Sequence, residues 1–95
     1  MTLTETEHLI VNILDDLKAV DLKVLNIEGM TSIADRMIIC SGRSTRHVNS
    51  IASNLVTELK KQGLKPPLGI EGLNNSNWVL VDLSDILVHI MQQET

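Results

Sequence analysis

The run Met37-Ile38-Ile39-Cys40, bounded by Arg36 and Ser41, constrains this chain more than any other feature. It is too short for a stable helix and rich in β-branched residues, so it reads as a strand. Alternate residues of a strand point to opposite faces, and here both sets are apolar. Such a run suits a strand covered on both sides, which predicts helices lying on the faces of a sheet rather than at its edge.

Two helices are available to do this. Leu9, Ile10, Ile13, Leu14 and Leu17 form one helical stripe, predicting a first helix from about Glu5 to Lys18. Thr4 followed three residues later by Glu7 offers a capping box at its start. Val48, Ile51, Ala52, Leu55, Val56 and Leu59 make a second stripe, predicting a helix over Thr45 to Gln62. Ser44 is its expected N-cap, Lys60 and Lys61 suit the negative end of its dipole, and Gly63 supplies the left-handed residue that stops it.

Strands are expected at Leu22–Glu28, Arg36–Ser41, Leu68–Glu71, Trp78–Asp82 and Ile86–Met91. Asn74 to Asn77 and Leu83 to Asp85 read as connections, the latter short enough for a hairpin. The predicted architecture is α/β, a mixed sheet flanked by helices in the order α-β-β-α-β-β-β. At 95 residues the whole chain, 1–95, is one domain, with no internal repeat or linker.

The core must be aliphatic, because the chain has 14 Leu, 10 Ile and 8 Val against one Trp and no Phe or Tyr. Twelve acidic against eight basic residues give a net charge of −4, the wrong sign for neutralising phosphates. With one aromatic there is also no stacking platform for single strands, so direct sequence-specific nucleic-acid binding is not expected. A basic protein is the better partner. The lone Cys40 sits in an apolar run, as a buried thiol would in a reducing cytosol. The acidic N-terminus is unlike a secretory signal and no stretch approaches a membrane span, so a cytoplasmic chain with no membrane contact is expected.

Local chemistry is sparse. Asp82 and Asp85 invite a paired-carboxylate metal reading, but three residues and a tight turn separate them, and turn capping is the simpler role. Ser41-Gly42 before a helix N-terminus with Arg43 and Arg46 would suit a phosphate, yet no complete phosphate-loop motif is present. His8, His47, His89 and Cys40 lack metal-ligand spacing, and nothing orients Cys40 and His47 as a nucleophile and its base. His89 shares a strand face with Leu87 and Met91, where a half-buried, satisfied imidazole is expected. Trp78 opens a strand after a polar loop and shares a face with Leu80 and Asp82 by the two-residue period. It reads either as a core anchor or as a binding residue, Trp being enriched in interaction hot spots.

The segments Ser32-Ile33-Ala34-Asp35-Arg36-Met37-Ile38-Ile39-Cys40-Ser41-Gly42, Ser44-Thr45-Arg46-His47-Val48 with Ile51-Ala52, Gly69-Ile70-Glu71-Gly72 and Asn77 through His89 together resemble the bacterial ribosomal silencing factor family, RsfS, also called YbeB or Iojap. The resemblance covers nearly the whole chain in order. It implies a fold related to nucleotidyltransferases, a homodimer, and binding to large-subunit ribosomal protein fourteen on the surface that meets the small subunit. It implies repression of translation by blocking subunit joining when nutrients run short, or else a part in large-subunit assembly and ribosome biogenesis.

Carried over by motif, the resemblance makes Trp78, Leu80 and Asp82, with Asp85 at the adjoining turn, the expected ribosomal contact. Asp35, within the Ser32 to Asp35 loop, and Glu71 beside Gly72 are secondary candidates. Active nucleotidyltransferases pair a Gly-Ser loop with an Asp-x-Asp strand. Here Ser41-Gly42 reverses the dipeptide and Asp82-Leu83-Ser84-Asp85 lacks the alternation, so no enzyme activity, catalytic residue, metal or cofactor is expected. The family continues past the position of Thr95 with an aromatic, leucine- and acid-containing tail. This sequence stops at Gln92-Gln93-Glu94-Thr95, so that tail is expected to be absent.

Overall fold

A computed structural model describes residues 1–72 and 77–93. Its elements are α1 (Leu3–Asp16), β1 (Val20–Asn26), β2 (Arg36–Gly42), α2 (Thr45–Lys61), β3 (Gly69–Glu71), β4 (Trp78–Asp82) and β5 (Ile86–Gln92). This is the predicted order α-β-β-α-β-β-β. The strands form one mixed sheet, β1-β2-β5-β4-β3, in which only β2 and β5 run parallel. β4 and β5 make the expected hairpin, closed by Leu83 N–H donating to the Ile86 carbonyl at 3.0 Å with Ser84 at φ 78°. Asn74 to Ser76 of the predicted polar connection lie outside the described residues.

α1 begins two residues earlier than the spacing of Thr4 and Glu7 suggests. Thr2 is the N-cap: its hydroxyl accepts from Glu5 N–H at 3.1 Å, and the Glu5 carboxylate accepts from Thr2 N–H at 2.9 Å. The sequence contains two overlapping Thr-x-x-Glu patterns, and tertiary contacts choose between them. Starting at Leu3 brings that side chain against the core, while Glu7 is drawn into an ion pair with Arg36 Nε at 3.0 Å. The same Arg36 reaches Glu28 and Asn26, both at 3.1 Å, tying the start of β2 to α1 and to the end of β1.

α2 matches its pattern closely. Ser44 accepts from His47 N–H at 3.0 Å, and Gly63 takes φ +83° just past the C-terminus. β1 is displaced toward the N-terminus relative to the predicted Leu22–Glu28 and is interrupted: its register with β2 shifts between Val20 and Lys23, and Asp21 there has φ 52°. β3 holds only three residues.

The core lies between the helices and one face of the sheet. Ile10, Ile13 and Leu14 of α1 and Val48, Ile51, Ala52, Leu55 and Leu59 of α2 pack on Ile38 and Cys40, Ile86, Val88 and Ile90, and Val79 and Val81. The helices lie side by side, bridged where His47 Nε2 meets the Leu17 carbonyl at 3.1 Å. Helices on both faces were predicted, and this is where the structure departs: both helices cover the same face. A strand that is apolar on both sides calls for two covers but does not require both to come from its own chain.

Candidate functional site

The uncovered face is ordered by strand register into three rows. The middle row crosses all five strands, Lys23, Ile39, His89, Leu80 and Glu71. On one side of it run Leu25, Met37, Leu87, Asp82 and Gly69, and on the other Ser41, Met91 and Trp78. None of these side chains belongs to the helix-packed core. The centre is aliphatic, and Asp82 and Glu71 mark the β4–β3 side with negative charge while Lys23 sits at the β1 edge. Leu25 at 43%, in one outer row, and the paired Trp78 at 44% and Met91 at 36%, in the other, remain exposed.

Trp78, Leu80, Asp82 and Glu71 are therefore brought together on one face. Trp78 sits there and not among the core anchors. Its indole N–H donates to His89 Nδ1 at 3.2 Å, and the two rings lie nearly parallel, 17° apart with centroids at 5.6 Å. The backbone beneath it is tightly built: Gly72 has φ +90°, and a Cβ there would overlap the Trp78 carbonyl. That explains the second glycine of Gly69-Ile70-Glu71-Gly72, which lets β3 end directly against the start of β4.

Asp82 occupies the far end of β4, four residues and about 13 Å along the strand from Trp78 at ~3.3 Å per residue. Its carboxylate accepts from Ser84 N–H at 3.0 Å, the turn-capping role that its spacing from Asp85 favours. Asp85 and Asp35 lie at the same end of the sheet but meet through backbone: the Asp85 carbonyl accepts from Asp35 N–H at 2.9 Å and from Arg36 N–H at 3.1 Å. They join the loop before β2 to the β4–β5 turn. Met30 and Ile33 of that loop are exposed, at 81% and 68%, so apolar surface continues past the sheet's end.

The other chemical candidates have structural roles. Cys40 is fully buried on the helix-covered face, and loss of solvation pushes its thiol up to about 12, leaving it protonated and unreactive. His47 is held at both nitrogens, Nδ1 accepting from Arg43 N–H at 3.0 Å and Nε2 meeting Leu17. Gly42 is needed for close packing, since a Cβ would lie 2.9 Å from both Val48 Cγ2 and Val48 N. Among the described residues no group of three His, Cys, Asp or Glu side chains is arranged to hold a metal ion, and no helix is long and apolar enough to cross a membrane. A concavity of about 560 Å³ near the β4–β5 turn is lined by residues including Leu3, Leu68, Leu83, Lys65, Ser84 and Asp85.

Met37, Ile39, Leu87 and Met91 belong to the same face and were not singled out from sequence as site residues. The signal was present, since period-two alternation assigns Met37 with Ile39 and Leu87 with His89 and Met91. What alternation lacks is the knowledge of which face the helices take.

Comparison with known proteins agrees with the fold and with the motifs. The sequence profile of the family described as "Ribosomal silencing factor during starvation" matches residues 1–95. A ribosomal silencing factor RsfS from Haemophilus influenzae is 47% identical over 81 residues, covering 85% of this chain and 78% of that protein. A mouse protein named for mitochondrial assembly of the ribosomal large subunit is 32% identical over 89 residues, which is 92% of this chain and 39% of that one. A crystal structure of a Chromobacterium violaceum protein superposes with a TM-score of 0.91 at 36% identity, over 97% of this chain and 76% of that one. The chain belongs to the RsfS family of ribosomal silencing factors.

Proposed function

We propose that this RsfS-family chain is a non-catalytic silencing factor that docks through the uncovered face of its sheet on ribosomal protein fourteen of the large subunit. In that place it would stand between the two subunits, block their joining and repress translation in the cytoplasm. The observation that carries this reading is the face itself: an aliphatic centre with a half-exposed Trp78 and acidic groups at Asp82 and Glu71. Interfaces of this kind have a dry apolar core with an aromatic anchor, and charge at the rim selects the partner. A chain with net charge −4 is repelled by ribosomal RNA and drawn to a basic protein on its surface.

The test is co-sedimentation with purified large and small subunits, followed by mixing the subunits and counting joined ribosomes. Binding to the large subunit alone, with fewer joined ribosomes and a loss on Trp78→Ala, is the expected result. Binding to neither subunit would refute it. Heat of Mg²⁺ or nucleotide binding abolished by Asp82→Asn would revive an enzymatic role.

A second reading is favoured by the likeness to the mouse mitochondrial protein, whose name assigns it to large-subunit assembly. Precursor large subunits accumulating in a deletion strain, with normal joining in the purified system, would select assembly over silencing. Pairing of two copies belongs to the same proposal, and sedimentation velocity across a concentration series tests it.

A further inference from the structure

His89 lies at the centre of the open face and its hydrogen bonding is unusual. Nδ1 accepts the indole N–H of Trp78, so the proton of the neutral imidazole must sit on Nε2. Nε2 is buried and has no hydrogen-bond partner among the described residues. Among the described residues the ring's side-chain hydrogen bond is the one to Trp78. Its neighbours across the strands are Ile39 and Leu80, and along its own strand Leu87 and Met91, none of which competes for the indole.

We propose that His89 is the positioning residue for Trp78, accepting its N–H in the neutral Nε2–H tautomer so that the indole is presented for docking, and that protonation of His89 releases it. This rests on the docking reading given above. Protonation places a hydrogen on Nδ1, opposite the indole hydrogen, and turns an acceptor into a second donor. The charged groups facing His89 are few: Lys23 on β1 and Glu71 on β3 in its own row, each two strands and about 10 Å away, and Asp82 on β4 one row along. Opposed in sign at similar distance, Lys23 and Glu71 nearly cancel. Burial then dominates and lowers the imidazole below its ordinary 6.5, keeping the neutral form at neutral pH.

Because Trp78 is the only tryptophan, its fluorescence reports on this contact directly. The full chain is titrated from about pH 8 to about pH 5. A proton-linked change in Trp78 emission centred below 6.5 is expected, and it should vanish in His89→Gln, where His8 and His47 remain but the amide oxygen still accepts without titrating. No transition in the parent chain, or its persistence in His89→Gln, would overturn the proposal. Co-sedimentation with large subunits at both ends of the range is the second arm. The parent chain should bind about fivefold more weakly at the acid end, the worth of a neutral hydrogen bond. His89→Gln should bind equally at both, and His89→Leu weakly at both. Parent-like binding by a folded His89→Leu, with no pH dependence, overturns the positioning role. A His89-dependent fluorescence transition without any subunit binding would instead retain the contact and refute the docking reading.

Discussion

The two faces of one sheet are built from the same five strands and the same kinds of residue, yet they do different work. On one, Ile38, Cys40, Val79, Val81, Val88 and Ile90 are completely buried beneath the helices. On the other, residues one step along the same strands, Met37, Ile39, Trp78, Leu80 and His89, have no helix over them. The covered face is where folding free energy comes from, at roughly 25 cal/mol per Å² of apolar surface removed from water. In the proposed docking the open face makes that gain only against a partner, so side-chain changes on the two faces should separate stability from binding.

The largest expected effect is on the covered face. Leu55→Ala, at a side chain with no solvent exposure, should destabilise the fold by about 2–5 kcal/mol, read by urea unfolding. Trp78→Ala comes next and should divide the other way: a loss of at least ~2 kcal/mol in docking, about 30-fold, with a much smaller shift in unfolding midpoint. A loss of stability rivalling Leu55→Ala would erase the distinction between the faces. Smaller again is Asp82→Ala, expected to cost ~1 kcal/mol of stability through the lost Ser84 hydrogen bond. Asp82→Asn keeps a turn acceptor while removing charge, so the pair of variants divides the turn's share from the docking share.

The smallest effect is in pH. His89 has its folded pKa below the ordinary 6.5 because burial disfavours the charged form. The unfolded chain therefore takes up its proton first as pH falls. The stability contributed by neutral His89 is complete above 6.5 and lost as pH falls through the lower folded value. Across that window the unfolding midpoint of the parent chain should fall relative to that of His89→Gln, whose residue 89 takes up no proton.

Much of this was legible in advance, and the exceptions share a cause. Element order, the Ser44 cap, the Gly63 stop and the Leu83 to Asp85 hairpin depend on neighbours within a few residues, and all are as the spacing predicts. The start of α1 was misplaced because two Thr-x-x-Glu patterns overlap, and the choice depends on Arg36, 29 positions from Glu7. The interruption of β1 at Asp21 carries no pattern in its side chains. The uncovered face was misread because an apolar strand looks the same whether its cover is a helix of its own chain or another protein. Trp78, Leu80 and Asp82 share a face by simple alternation, and Glu71 joins them only through the β3–β4 register. The Trp78–His89 contact is further from sequence still, since it runs diagonally between rows of a hairpin whose register is fixed by its turn.

β3 ends after three residues and β1 is broken by a shift of register at its beginning, which leaves the sheet with two poor margins. Neither offers a long straight ladder of free amides and carbonyls for another strand to join. A sheet with these margins therefore has little means of polymerising sideways through its edges. In the proposed docking, recognition is left to side chains standing on its open face, whose shape and charge discriminate between partners in a way that backbone pairing, common to every polypeptide, does not.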